Sequence, residues 1–418
     1  MAVLRQWVQR VLLAGLAVLV TAAGLEVVFR LTRWRGLQPP ERQEHPIYHH
    51  RLRPNWTYPQ TSPDFETSAT TNSLGLRAST EYGPKPPGTT RILMLGDSFT
   101  FGVGVNDEET FCALLQRALN AGRDDGTTVE VVNAGIGSYS PILHYLALRD
   151  LYLPLQPDAV VLWFDFGDMQ NDFFYEHNLR YDQHGRLVAC HPFYVDGRHD
   201  WFAELREQSA LLKYFHNKFI RTYQKIRLLG LGEYLNAKLK GQSAKAAIAT
   251  LTSKGRRVEE PIRYDQLFMI RNREDLPEIT AHWQRSARYL LMIRDLLGAQ
   301  RIPFVLAAYP YGIHVGPDQW GQGRTAFGFE PGRTYDDPFA FDLLEEFAAQ
   351  HGIPFLNTYE AFRVAGREER LFHDWDGHFT PAGHRLIASM LPSDPTFLSL
   401  MKALRDRPLA RAPRRTEP

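Results

Sequence analysis

A serine and a histidine near opposite ends of the chain carry the chemistry. Residues 96–100 read Gly-Asp-Ser-Phe-Thr and follow a short apolar run, RILML, at 91–95. A serine just past a strand and ahead of a helix exposes its hydroxyl at the strand's carboxyl end. Its N–H then lies at a helix N-terminus, where developing negative charge is stabilised. Taken alone, Ser98 reads rather as a helix cap. Residues 374–384 read Asp-Trp-Asp-Gly-His-Phe-Thr-Pro-Ala-Gly-His, with Asp376 two residues before His378. Serine catalysis needs a base for the hydroxyl proton and an acid that fixes the base's tautomer. Ser98, His378 and Asp376 supply one of each, and Asp374 is the alternative acid. The order along the chain is no objection, because such triads are recognised by geometry and role.

The elements that must position these residues alternate. Apolar runs at 91–95, 129–132, 159–164, 302–308 and 353–356 read as strands. Helical spacing marks 110–119, 141–151, 285–297 and 338–350. Continuous apolar strands alternating with helices predict a parallel sheet covered on both faces, with ligands at the strands' carboxyl ends. The expected fold class is α/β: a three-layer α/β/α sandwich on a mostly parallel five-stranded sheet. Roughly 110 residues separate the third and fourth strands, far beyond an ordinary connection. We read an insertion at about 173–280, with a helical stretch at 203–239 and a basic piece near 240–257. Residues 36–88, rich in Pro, Thr and Ser, read as an extended lead-in before a domain at 89–400. Residues 401–418 read as a disordered basic tail.

Composition narrows the function. With 48 basic and 47 acidic residues among 418, the net charge is +1, which offers no bulk attraction for nucleic acid. Two cysteines, Cys112 and Cys190, are too few for a disulfide framework or a four-cysteine zinc site. No tight metal-ligand pair stands out, and nothing calls for a metal or an organic cofactor. Residues 11–25, VLLAGLAVLVTAAGL, carry no charge, and the run resumes after Glu26. About 19 such residues reach roughly 28 Å, enough to span a bilayer. Residues 1–35 therefore read as an uncleaved anchor or a cleaved signal, ahead of a buried core helix. Arg30, Arg33 and Arg35 follow the run, and the positive-inside rule alone puts that side in the cytoplasm.

Four blocks in order carry a resemblance. Gly96-Asp97-Ser98 is similar to the first block of the SGNH (GDSL) hydrolases, Asn133 to Tyr139 to the second, Gly167 to Asp172 to the third, and Asp376-Gly377-His378 to the last. The likeness runs from about Thr71 to Ala388. Thr71 to Arg77, and Glu26 with Arg30 in the apolar segment, resemble membrane-anchored bacterial members. The resemblance implies an esterase or acylhydrolase, lipase-like in type, acting on an acyl ester outside the cytoplasm. That placement conflicts with the arginines after the apolar run. It implies an oxyanion site built from the N–H groups of Ser98 and a second-block residue, with a third-block Asn side chain.

Three positions depart from the family pattern. The acid commonly stands three residues before the histidine, where this chain has Trp375. The second-block oxyanion glycine aligns with Ser138, leaving Gly135 and Gly137 as alternates. The third-block Asn falls near Gly167, so either Asn171 swings in or that donor is missing. Two other functions stay open: an O-acetyltransferase acting on an exported or surface polysaccharide, and a non-catalytic scaffold or glycan-binding protein. Of the remaining residues, Asp97 reads as a loop stabiliser and His384 as a surface or capping group. Tyr309 and Tyr311 read as pocket lining or ordinary packing.

Overall fold

The computed structural model describes residues 2–34, 42–209, 231–240, 276–327 and 329–406, with short stretches between 211 and 226. The chain divides into two units. One combines Met1–Pro40 with Phe193–Ile262, and the other Glu41–Pro192 with Arg263–Pro418.

The larger unit opens with two antiparallel hairpins, β1 (Arg42–His45) with β2 (His49–Leu52) and β3 (Trp56–Ser62) with β4 (Phe65–Thr71). The segment expected as an extended lead-in is thus paired with itself. In β3 the buried positions alternate, as period-2 packing of one face requires. The sheet follows: β5 (Thr89–Gly96), β6 (Thr128–Gly135) and β7 (Ala159–Phe164). After a small hairpin, β8 (Leu179–Tyr181) with β9 (Leu187–Cys190), come β10 (Phe304–Ala308) and β11 (Phe355–Asn357). The order is β11-β10-β7-β5-β6, parallel throughout. The five apolar runs are these five strands.

Every residue of β7 and β10 is buried, so helices cover both faces. Successive residues show it. The Trp163 ring meets Phe111 of α2 (Phe111–Asn120), while Phe164 meets Trp283 of α5 (Leu276–Ala299) on the other side. The other helices used below are α1 (Ser98–Phe101), α3 (Pro141–Ala147), α4 (Asp168–Glu176), α6 (Phe339–Gln350), α7 (Tyr359–Ala365), α8 (Pro381–Met390) and α9 (Pro395–Arg405). Gly96 pairs in register with Gly135, so the loops after β5 and β6 leave the sheet side by side.

Several expectations are corrected. The helix α9 runs to Arg405 with Met401 buried, because Met401 lies on the same face as Phe397 and Leu400, so no tail begins at 401. Residues 407–418 and the basic piece at 241–257 lie outside the described residues. The insertion boundary at 173 is also displaced: α4, β8 and β9 belong to the sheet unit, and the second unit begins at Phe193. His384 is not a surface group. It is buried in α8 and accepts the Phe111 N–H at the start of α2, 3.2 Å away. Both cysteines are free and buried.

The smaller unit contains the N-terminal helix Ala2–Trp34, in which Arg5–Val28 is long and apolar enough to cross a membrane. It also contains the helix Trp201–Gln208, capped by the Asp200 side chain, and the helix Leu231–Leu239.

Candidate active site

Two glycines place the serine. The helix α1 lies directly on the ends of β5 and β6. A β-carbon on Gly135 would collide with the Phe101 nitrogen, and one on Gly96 with the Thr100 side chain. Ser98 is the first residue of α1, and the Asp97 carboxylate caps it by accepting the Phe99 N–H at 2.9 Å. The other end is held as firmly. Gly102 closes α1 in the left-handed region at φ +92°, where a side chain would be strained. Asn133 Nδ2 donates to the Thr100 carbonyl at 2.9 Å. The buried Arg77 guanidinium collects the carbonyls of Phe101, Gly102 and Val105 and pairs with Asp107 at 2.8 Å. A cation suits a helix C-terminus. Asn72 folds the segment that delivers Arg77, its Oδ1 accepting the N–H groups of Leu74 and Leu76 at 3.0 Å. This gives the 71–77 motif a physical reason.

His378 Nε2 lies 2.8 Å from Ser98 Oγ, and His378 Nδ1 bonds Asp376 Oδ1. Their loop precedes α8. Gly377 turns it at φ +91°, and the His373 N–H donates to the His378 carbonyl at 2.8 Å. Asp64, at the tip of the β3–β4 hairpin, accepts the N–H groups of both Trp375 and Asp376 on one oxygen, each at 2.8 Å. Asp374 turns away from His378. It accepts the Gly321 N–H at 3.0 Å and faces Arg370 at 3.5 Å.

The electrostatics of the pair run in opposite senses. Burial works to push the His378 pKa down, but the bond and charge of Asp376, with Asp97 and Asp165 behind, hold it above 6.5. Burial works to raise the Asp376 carboxyl, and the bond to His378 takes it below its ordinary value.

Beside the serine, the N–H groups of Ser98, Gly137 and Ser138 carry no hydrogen bond among the described residues. Ser138 sits at φ +65°, a conformation costly for any residue but glycine, so it keeps a glycine's backbone with a serine's side chain. The Tyr175 hydroxyl donates to its carbonyl at 2.9 Å, and Arg42 Nη1 to its Oγ at 3.3 Å. Arg42 Nη2 fills the space a β-carbon on Gly137 would need, and Ser98 Cβ lies 3.6 Å from that point. The guanidinium of β1 thus reaches the edge of the nucleophile. Gly135 supports α1 from below.

The third block has a different content from the one expected. A β-carbon on Gly167 would lie 2.7 Å from Asp165 Oδ1, so no longer side chain fits there. Asn171 is a half-buried residue of α4 whose N–H donates to the Gly167 carbonyl at 3.1 Å. No described contact takes its side chain to Ser98. Asp172 accepts the Ile142 N–H and the Ser286 hydroxyl, and burial pushes it up to about 7.

An acid–tyrosine cluster occupies the ground beneath the serine instead. The Tyr309 hydroxyl lies 2.9 Å from both Asp97 Oδ1 and Asp165 Oδ2. The Tyr311 hydroxyl donates to Asp165 Oδ1, which also accepts the Gly167 N–H at 2.6 Å. The Asp165 N–H donates to Asp168 Oδ2 at 3.2 Å. Burial and the Asp97 charge push Asp165 up to about 7, against the tyrosine bonds. Both tyrosines are buried and belong to this cluster. Sequence reasoning missed Arg42, Asp64, Asp165 and the role of Tyr309. The irregular third block carried a signal of Asp165 alone, and nothing local marked Arg42 or Asp64.

No family model matches the sequence, and none of the curated proteins does. Among solved structures, the chain is similar to an acetyl xylan esterase, AlAXEase, at 15% identity over 72% of this chain and 98% of that one, with a TM-score of 0.34. It is similar to TesA at 14% identity over 74% and 99%, TM-score 0.35. It is also similar to a lipase/acylhydrolase from Enterococcus faecalis at 14% identity over 77% and 100%, TM-score 0.32.

Proposed function

We propose that the protein is a serine-dependent ester hydrolase that works through an acyl-enzyme on Ser98. The observation that supports this is the unbroken contact from Asp376 through His378 to the Ser98 hydroxyl, on a strand-to-helix turn beside unbonded N–H groups. Ser98 Oγ attacks the ester carbonyl carbon as its hydrogen passes to His378 Nε2. The N–H groups of Ser98 and of the 137–138 turn receive the oxyanion. His378 then returns the proton to the leaving alkoxide oxygen, and the alcohol departs. Water attacks the acyl carbon, gives its proton to His378, and the acid leaves as Ser98 regains its hydrogen. Asp376 holds the ring's tautomer throughout. The N-terminal span supports a catalytic unit anchored at a membrane, which we place outside the cytoplasm, with a carbohydrate-linked ester as the substrate.

Fluorophosphonate labelling and p-nitrophenyl acetate hydrolysis test the core of this reading. Wild type labels and turns over, and Ser98→Ala loses both. A folded wild type that does neither overturns the reading. With an acetylated oligosaccharide, free acetate accumulates in step with deacetylation. Acetyl groups passing instead to a second oligosaccharide would make the enzyme a transferase.

A further inference from the structure

The helices of the smaller unit are amphipathic in the wrong direction for water. In Leu231–Leu239, the side chains of Leu231, Leu235 and Leu239 recur at i, i+4 and i+8 and form one stripe. That stripe points outward, with Leu239 88% exposed. Between 211 and 226 the helical residues Phe215 and Phe219 make an i, i+4 pair, 57% and 67% exposed. Trp201, at the head of its helix, is 66% exposed. A helix in contact with water turns such a stripe inward against a core. Something of low polarity must cover these.

The N-terminal helix says what. Within the apolar span Arg5–Val28 stands one carboxylate, Glu26, two residues from its end. A carboxylate in such a position is costly unless partnered. One oxygen of Glu26 accepts both the Ser209 hydroxyl at 2.9 Å and the Leu211 N–H at 3.0 Å. Ser209 and Leu211 lie at the junction between the helix Trp201–Gln208 and the helical residues after it. That junction is therefore tied to the end of the apolar span, and the outward stripes start from it.

We propose that the described helical residues of 201–208, 211–219 and 231–239 form an interfacial membrane element, their apolar stripes seated in the lipid beside the N-terminal span. Lys238, exposed between Leu235 and Leu239, suits this placement, since its stem lies along apolar surface while its ammonium reaches the headgroups.

Membrane association alone tests nothing here, because the span would secure it. Depth does. The full chain is placed in nanodiscs of phosphatidylethanolamine and phosphatidylglycerol with single spin labels at Phe215→Cys, Phe219→Cys or Leu235→Cys, and at Glu345→Cys in α6 as the water-facing reference. The native Cys112 and Cys190 are buried and do not compete for the label. Collision rates with oxygen and with a water-soluble nickel chelate are compared. The three test sites favour oxygen by at least about threefold more than the Glu345 site, as residues in the acyl region do. Labels as open to nickel as the reference overturn the proposal. Labels shielded from both probes also overturn it, since protein then covers the stripes. The unsubstituted chain gives an independent check. A lipid-borne photoactivated carbene modifies peptides within 201–239, and its absence from them counts against the proposal.

Discussion

Tyr309 has one hydroxyl hydrogen for two carboxyl oxygens, Asp97 Oδ1 and Asp165 Oδ2, both at 2.9 Å. It can donate to only one of them at a time, while burial and the Asp97 charge push the Asp165 pKa up to about 7. The consequence reaches the nucleophile, because Asp97 Oδ2 lies 3.2 Å from Ser98 Oγ and competes with His378 for its hydrogen. In Tyr309→Phe, Asp97 loses a donor and competes better. The expected result is a fall of about tenfold in kcat with KM unchanged. A drop in stability of about 1–3 kcal/mol goes with it, for a buried carboxyl left unsatisfied. Steady-state kinetics and denaturant unfolding measure the two. The base gives a second prediction. Catalysis needs neutral His378, whose pKa is held up, so kcat/KM rises with pH through a midpoint above 6.5. Asp376→Asn removes the charge that holds it up, weakens the bond and leaves the burial. Its midpoint moves to lower pH, and its rate falls by about 10³–10⁴. A pH–rate profile that does not move in this variant would remove Asp376 from the role.

At the scale of elements, the site depends on segments outside the sheet. Asp64 reaches from a hairpin tip to two N–H groups of the acid's loop. In Asp64→Ala these are freed, Asp376 is less well placed, and kcat falls by about 10–100-fold with folding intact. Stopped-flow turnover alongside circular dichroism separates the two effects. Arg77 binds the far end of the nucleophile's helix. Arg77→Met leaves Asp107 and three carbonyls without their cation and costs about 3–5 kcal/mol in chemical denaturation. The sheet was legible because fully buried strands are apolar at every position, as in AVVLWF at 159–164. The hairpins were not, because Thr, Ser and Pro on half-exposed strands leave only a faint alternation. Arg42 and Asp64 act across long stretches of chain, and no local pattern announces such a reach. The left-handed Ser138 was invisible for another reason. Serine rarely takes that conformation, and here Tyr175 and Arg42 hold it from other elements.

At the scale of the whole molecule, the chain joins an apolar helix of membrane-crossing length to a sheet unit with an enclosed core. A charge-held peripheral protein leaves membranes in high salt, whereas a spanning helix does not. The full chain is therefore expected to stay with the membrane fraction through molar salt and alkaline carbonate and to leave only with detergent. Release by salt would argue against the span.

The nucleophile and its base are 280 residues apart in the chain and 2.8 Å apart in space. That separation is also an interval of time. At roughly 5–20 residues per second, the ribosome makes His378 some tens of seconds after Ser98. Throughout that interval the growing polypeptide carries the Ser98 hydroxyl without the imidazole that the proposed mechanism requires. The loop that Asp64 awaits has not yet been synthesised. On the proposed role of His378, the serine gains its base only after the chain has been made past residue 378.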